Sequence, residues 1–299
     1  MKRCIFLSLL FLSVLRGNGQ NDTVARRGGL VALNFSQASL TNWAAGGQNA
    51  VSGNAIVNYF SQYKRGKKAW DNNFSLGYGL IMQGKANRFI KSDDKIDLTS
   101  RYGWEVSRRW NISALVNFRS QFTAGYAYPN DSVVISRFFA PAYLTIAPGF
   151  DYRPGADFSL FLSPVTTRFI FVTDKRLSQA GAFGVDPGER MRLEAGGYVK
   201  AALIKNLSED LNLATSLDLF SNFLDRPENV DVNWQMLLVL KVSKYISASL
   251  STQLLYDDNT KVTTYKSDGI TVDRSGPRTQ FKEVLGIGFA YKFMGYSLR

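Results

Sequence analysis

The 299-residue sequence contains no histidine, and its one cysteine, Cys4, lies within the first few positions. Those two gaps exclude histidine-based triads, cysteine nucleophiles, disulfides and ordinary zinc sites from the rest of the chain. Proline is sparse at 8 residues, and no glycine-rich phosphate loop of the required spacing occurs. Beyond the first twenty residues no apolar run approaches the ~18 positions that a membrane-spanning helix needs. The chain is therefore not read as an enzyme, and no catalytic, cofactor-binding or metal-ligating residue is assigned. Asp93 and Asp94, in KSDDK, read as a solvated turn. Asp257, Asp258 and Asn259, with Asp268 and Asp273, offer oxygen ligands at a spacing that matches no calcium loop.

What is present begins with an address. Lys2 and Arg3, an apolar run from Ile5 to Leu15, and small residues at Gly17 and Gly19 form the pattern of a secretory signal peptide over residues 1–19, leaving residues 20–299 as a single domain. Without Lys2, Arg3 and Arg16 the net charge falls from +12 to +9. Export makes nucleic acid an unsuitable partner for that charge, whereas anionic head groups or anionic solutes fit the location.

From about residue 30 to residue 293 the apolar pattern has a period of two, the mark of strands with one face toward an apolar medium. In Ile96 to Val106, Ile96, Leu98, Tyr102, Trp104 and Val106 alternate with Asp97, Thr99, Arg101, Gly103 and Glu105. Val230 to Val242 and Phe281 to Phe293 repeat the pattern, the latter with Gly286, Gly288 and Ala290 on the second face. These runs are longer than the ~5–6 residues of ordinary strands, and their polar face is too small for a solvated sandwich.

Turn signals between the runs alternate in length. Short ones fall at 64–68, 107–109, 153–157, 205–210 and 243–245, and longer ones near 41–48, 84–94, 126–137, 173–190, 224–229 and 257–279. Short turns at one end and long loops at the other predict an all-β fold, an antiparallel up-and-down transmembrane β-barrel of about 12 strands, in the outer membrane. Ten strands result if the first segment is a lumenal plug instead. Alternation is weakest in Leu30 to Ser39 and around Pro164 in Phe158 to Val172.

The face assignment yields candidate lumen charges: Asp97, Arg101, Glu105, Arg119, Arg192, Glu194, Lys200, Asp218, Asp231 and Lys241. Their mixed signs point to pairing, either as opposed clusters along a water-filled pore or as a satisfied network inside a filled barrel. Loop 173–190 or the N-terminal segment could do the filling. Tyr63, Trp70, Trp104, Trp110 and Tyr152 lie beside short turns on the apolar face and read as a periplasmic aromatic girdle.

At Asn34 to Gly47 (NFSQASLTNWAAGG) and Lys282 to Phe293 (KEVLGIGFAYKF), the sequence resembles an uncharacterised Bacteroidetes family, a domain of unknown function regarded as outer-membrane β-barrels. The resemblance implies fold and location and carries over no site. In many such barrels the chain ends on an aromatic that the assembly machinery reads; here Phe293 is followed by Met294 to Arg299, so that either Phe293 itself is that signal or a short periplasmic tail is tolerated after it. The expected partners are outer-membrane lipid and the barrel assembly machinery. The expected role is a passive channel or uptake barrel for small solutes; the alternatives are a non-conducting envelope scaffold or accessory subunit of a surface or secretion complex and, least favoured for want of histidine and of any cysteine beyond Cys4, an outer-membrane enzyme.

Overall fold

The computed structural model describes residues 23–40, 48–84, 88–128, 132–265 and 272–298. The expected signal peptide with Cys4, Trp43 and its loop, and Asp268 lie outside them. In chain order the strands are β1 (Thr23–Ala38), β2 (Ala50–Arg65), β3 (Lys68–Gln83), β4 (Ile90–Ser107), β5 (Trp110–Ser120), β6 (Gly125–Tyr126), β7 (Val134–Ser136), β8 (Ala142–Tyr152), β9 (Phe158–Phe171), β10 (Met191–Asn206), β11 (Leu211–Asn222), β12 (Val230–Lys241), β13 (Ile246–Tyr256), β14 (Lys261–Tyr265), β15 (Val272–Pro277) and β16 (Gln280–Leu298). Twelve of them close into one antiparallel barrel in the order β1-β16-β13-β12-β11-β10-β9-β8-β5-β4-β3-β2, while β6–β7 and β14–β15 are hairpins in long loops.

β1 pairs along its length with both β2 and β16, so the first segment is wall and not plug, which fixes twelve strands over ten. The residues after Phe293 also correct the tail alternative. They are no tail: Met294 pairs with Gly28 and Leu298 with Val24, so β16 runs on to match the full length of β1. At this seam the Phe293 ring lies over Gly29, where a Cβ would meet its Cζ at 2.7 Å and the carbonyl oxygen of Asn58 at 2.4 Å. Tyr59 stacks on the same ring at 6.4 Å between centroids. An aromatic on one strand thus covers the gap that glycine leaves on its neighbour.

The expected loop at 84–94 is shorter, because β4 begins at Ile90 and takes in Asp93 and Asp94. Their side chains are only 14% and 3% exposed, and each is held by a lysine: Asp93 by Lys282 at 2.6 Å and Asp94 by Lys91 at 3.0 Å. Those ion pairs let the strand continue where composition alone reads a solvated turn.

Alternation does what a membrane requires. Leu33, Phe35, Val116, Ile146, Leu193, Leu285, Ile287 and Phe289 are exposed on the outer wall, a continuous apolar surface that would be unstable in water. Polar groups on that wall are paired locally. Trp234 Nε1 donates to Thr215 Oγ1 at 3.0 Å, and Thr215 Oγ1 donates onward to the Gln235 carbonyl at 2.9 Å, as an apolar solvent demands.

Candidate functional site

The inner wall divides the lumen into two chambers. The loop-side chamber, about 370 Å³, is bounded by Asp97, Arg119, Tyr143, Arg168, Tyr198, Asp218, Phe220, Asp231, Gln253 and Asp257 among others. The turn-side chamber, about 390 Å³, is bounded by Arg26, Lys64, Asp71, Arg101, Leu115, Arg153 and Lys200 among others.

A septum separates them. On one half of the wall, Leu115, Ala147, Phe161, Tyr198 and Phe220, from the consecutive strands β5, β8, β9, β10 and β11, form a buried apolar cluster. On the other half the closure is polar. Lys95 Nζ on β4 donates to Gln235 Oε1 on β12 at 2.5 Å. Those strands are six places apart in either direction round the barrel, so this single contact spans the diameter. Lys282 on β16 reaches Asp93 on β4 in the same way, four strands away.

Of the ten charges chosen from the sequence, eight lie inside. Arg192 Nε is 3.1 Å from Glu194 Oε1, and its guanidinium also donates to the Gly184 carbonyl and to Asp225. Glu194 is fully buried and Asp231 15% exposed; they share Arg168, whose Nε donates to Glu194 Oε2 at 2.6 Å. Lys200 pairs with Asp218 at 2.8 Å, and Tyr198 donates to the same carboxylate. Arg101 bonds Asp151 at 2.7 Å. Asp97 sits directly opposite Arg119 in the β4–β5 register but accepts its hydrogen bond from Asn117, at 2.7 Å.

Glu105 and Lys241 are at the short-turn rim, Glu105 paired with exposed Lys64 at 2.7 Å and Lys241 exposed and 4.0 Å from Asp210. Strand ends protrude past the packed interior, and face parity alone does not reveal height along the barrel.

The five girdle aromatics fall on β2, β3, β4, β5 and β8, neighbours round the wall, at the short-turn end. Tyr63 pairs with Trp70, and the rings of Trp110 and Tyr152 stand 4.9 Å apart. Tyr63, Trp70, Trp104 and Trp110 are 38–48% exposed on the outer wall and Tyr152 is half-buried.

Several lumen residues were missed from sequence. Arg168 escaped because β9 carries a bulge: Gly196 pairs with Thr166 but Tyr198 with Ser163, so one extra residue at Pro164–Val165 flips the inward parity from odd to even. The broken alternation at Pro164 was the available signal. Asp71, Asp151 and Arg153 join Arg101 in a closed set of two guanidinium and two carboxylate groups on the turn side. Asp71 had the correct parity and was passed over, and Arg153 was assigned to a turn.

The loop joining β9 to β10 forms the roof. Its helix α1 (Lys175–Gln179) is capped by Asp174, which accepts from the backbone of Arg176 and Leu177. Leu177 and Val185 pack on Ala140, Ile170 and Val172, and Phe183 faces the chamber. Asp257 and Asp258, weighed above as oxygen ligands, are already engaged: Asp257 accepts from Asn259 and Thr260, and Asp258 pairs with Arg226 at 2.7 Å.

A closed, twelve-stranded antiparallel barrel with an apolar belt, a polar lumen and long loops at one end is a transmembrane β-barrel. Within that class, residues 35–126 match the family described as "Protein of unknown function (DUF3078)". No curated protein matches the chain. Similar solved structures include the translocator domain of the autotransporter NalP from Neisseria meningitidis, with 10% identity over 92% of this chain and 90% of that one at a TM-score of 0.35. The COG4313 outer membrane channel from Pseudomonas putida F1 has 11% identity over 96% and 100% at 0.37. The outer membrane channel DcaP of Acinetobacter baumannii has 7% over 92% and 96% at 0.31.

Proposed function

We propose that this chain is an outer-membrane β-barrel that acts as a narrow, non-catalytic channel for small solutes. One observation carries the reading: two polar chambers, one toward each end, are divided by a septum whose polar half rests on side-chain contacts and not on an inserted domain. Lysine and glutamine rotamers exchange on the nanosecond scale where they are free to move, so a contact such as Lys95–Gln235 can act as a gate. Opposed cations and carboxylates along the passage admit small polar solutes while excluding folded or apolar ones.

The test is single-channel conductance of the folded protein in a planar bilayer. The wild type is expected to give small steps, and Lys95→Ala and Gln235→Ala to enlarge them severalfold. Silence from the wild type and both variants would refute the channel.

The salt-bridged network of Arg168, Glu194 and Asp231 favours a second reading, a permanently closed barrel that serves as an envelope scaffold and holds its partner through the long loops. That reading predicts silence together with a protein that co-purifies after gentle extraction.

A further inference from the structure

Within the loop-side chamber the charged groups differ in how far the protein itself satisfies them. The carboxylates are engaged: Asp94 takes Lys91 and the backbone N–H groups of Phe122 and Thr123, Asp97 takes Asn117, and Asp218 takes Tyr198 and Lys200. Asp231 takes Arg168, and Asp257 takes Asn259 and Thr260. Two of the cations, like Asp97 and Asp257, bond no group of opposite charge among the described residues. Arg119 Nε is buried without any hydrogen-bond partner, and among the described residues no carboxylate forms an ion pair with its guanidinium. Its guanidinium carbon lies 5.7 Å from the Tyr143 ring centroid, and the Asp218 and Asp97 carboxylates act on it through space, without a direct bond. Lys95 bonds a neutral amide, that of Gln235. Both cations line the same chamber from adjacent strands, β4 and β5.

A buried guanidinium Nε left without a hydrogen bond is costly, and planar guanidinium donors match a carboxylate in bidentate geometry. A volume of about 370 Å³ is within the range that holds small ligands. Gln253 and Thr145 offer neutral polar groups to the rest of such a molecule.

We propose that the loop-side chamber is a binding site for a small organic carboxylate, held by Arg119 and Lys95. This names a solute class for the channel reading above and rests on it only for the solute's passage; binding itself needs no conduction. Engaging Lys95 with an anion withdraws it from Gln235, so an arriving carboxylate would release the contact that spans the septum.

The test is isothermal titration of the full, folded barrel in detergent with succinate, using succinamide as the uncharged control. The wild type is expected to bind succinate and not succinamide. Arg119→Gln should weaken succinate binding by about tenfold to a hundredfold, the worth of a charge-assisted hydrogen bond. Lys241→Gln, at the opposite rim and outside both chambers, should bind as the wild type does. Because Arg119→Gln could fold poorly, Arg119→Lys and the wild-type succinate–succinamide comparison stand beside it, with circular dichroism reporting the barrel. No heat with succinate, equal binding of succinamide, or undiminished binding by a folded Arg119→Gln would each overturn the site. A silent barrel that still binds succinate through Arg119 would overturn the channel and leave the site standing.

Discussion

Replacing Arg168 by methionine keeps most of the side chain's volume and removes the charge that two lumen carboxylates share. Arg168 is only 6% exposed, Glu194 is fully buried and Asp231 15% exposed, so little water is available to replace the guanidinium. Breaking a buried ion pair by removing one partner costs about 3–5 kcal/mol, most of it the stranded charge. The contact of the guanidinium with the Phe220 ring, 4.0 Å to the centroid, adds about 0.5–2 kcal/mol. Arg192 still reaches Glu194 at 3.1 Å and relieves part of the loss, so the net expectation is about 3–5 kcal/mol. Urea unfolding of the barrel refolded in thin bilayers, followed by tryptophan fluorescence and extrapolated linearly to water, measures it. The triple variant Arg168→Met, Glu194→Gln, Asp231→Asn should recover all but about 1 kcal/mol, since paired neutral groups are tolerated where a lone charge is not. A single variant that loses under about 1 kcal/mol, or a triple no more stable than the single, would refute the account.

Three further outcomes follow from local geometry. Gly29→Val would drive a side chain into Phe293 and the Asn58 carbonyl, and overpacking of about 1–3 kcal/mol at the closing seam should appear in the same urea assay. Thr215→Val, nearly equal in shape, leaves the Trp234 indole N–H unpaired on the lipid face; a loss of about 1–3 kcal/mol is expected, against none if the bond is dispensable. At the mouth, the hydrogen bond from Arg192 holds the Asp225 carboxyl below the usual carboxylate range. The clasp is therefore intact above the ordinary carboxylate pKa and is lost as pH falls through the depressed folded value. Spin labels at Ala182→Cys and Glu228→Cys should separate on acidification, and Asp225→Asn should hold them apart at every pH.

The wall of the barrel was legible because lipid imposes a rule that each residue obeys separately. An outward position is apolar and an inward one polar or small, so Ile96 to Val106 declares its faces without knowledge of its neighbours. Loop lengths then give the order of hairpins. Where a second constraint intervenes, the rule loses resolution. Asp93 and Asp94 look like a turn because, beyond the neighbouring Lys91, their partners Lys282 and Thr123 are supplied by another strand and by a loop, and only the folded barrel brings those two near. Closely approaching backbones are similarly silent in sequence: a Cβ at Gly196 would come within 1.8 Å of the Ser221 carbonyl oxygen, so this glycine answers to strand curvature as much as to the width of the lumen.

The lumen was legible only by halves, and the bulge in β9 shows why. Parity identifies inward residues strand by strand, and it found Arg192, Glu194 and Asp231 while missing Arg168, the one group that joins the last two. One extra residue at Pro164–Val165 reverses the faces of everything after it, so that Thr166, Arg168 and Ile170 point inward where an unbroken strand would turn them to lipid. A charged arginine beyond a proline is itself evidence of that reversal, since an arginine facing the hydrocarbon is costly, at about 2–4 kcal/mol near the midplane. The membrane thus supplies a correction that periodicity lacks: where alternation would place a charge in lipid, the register has slipped, and the nearest proline marks where.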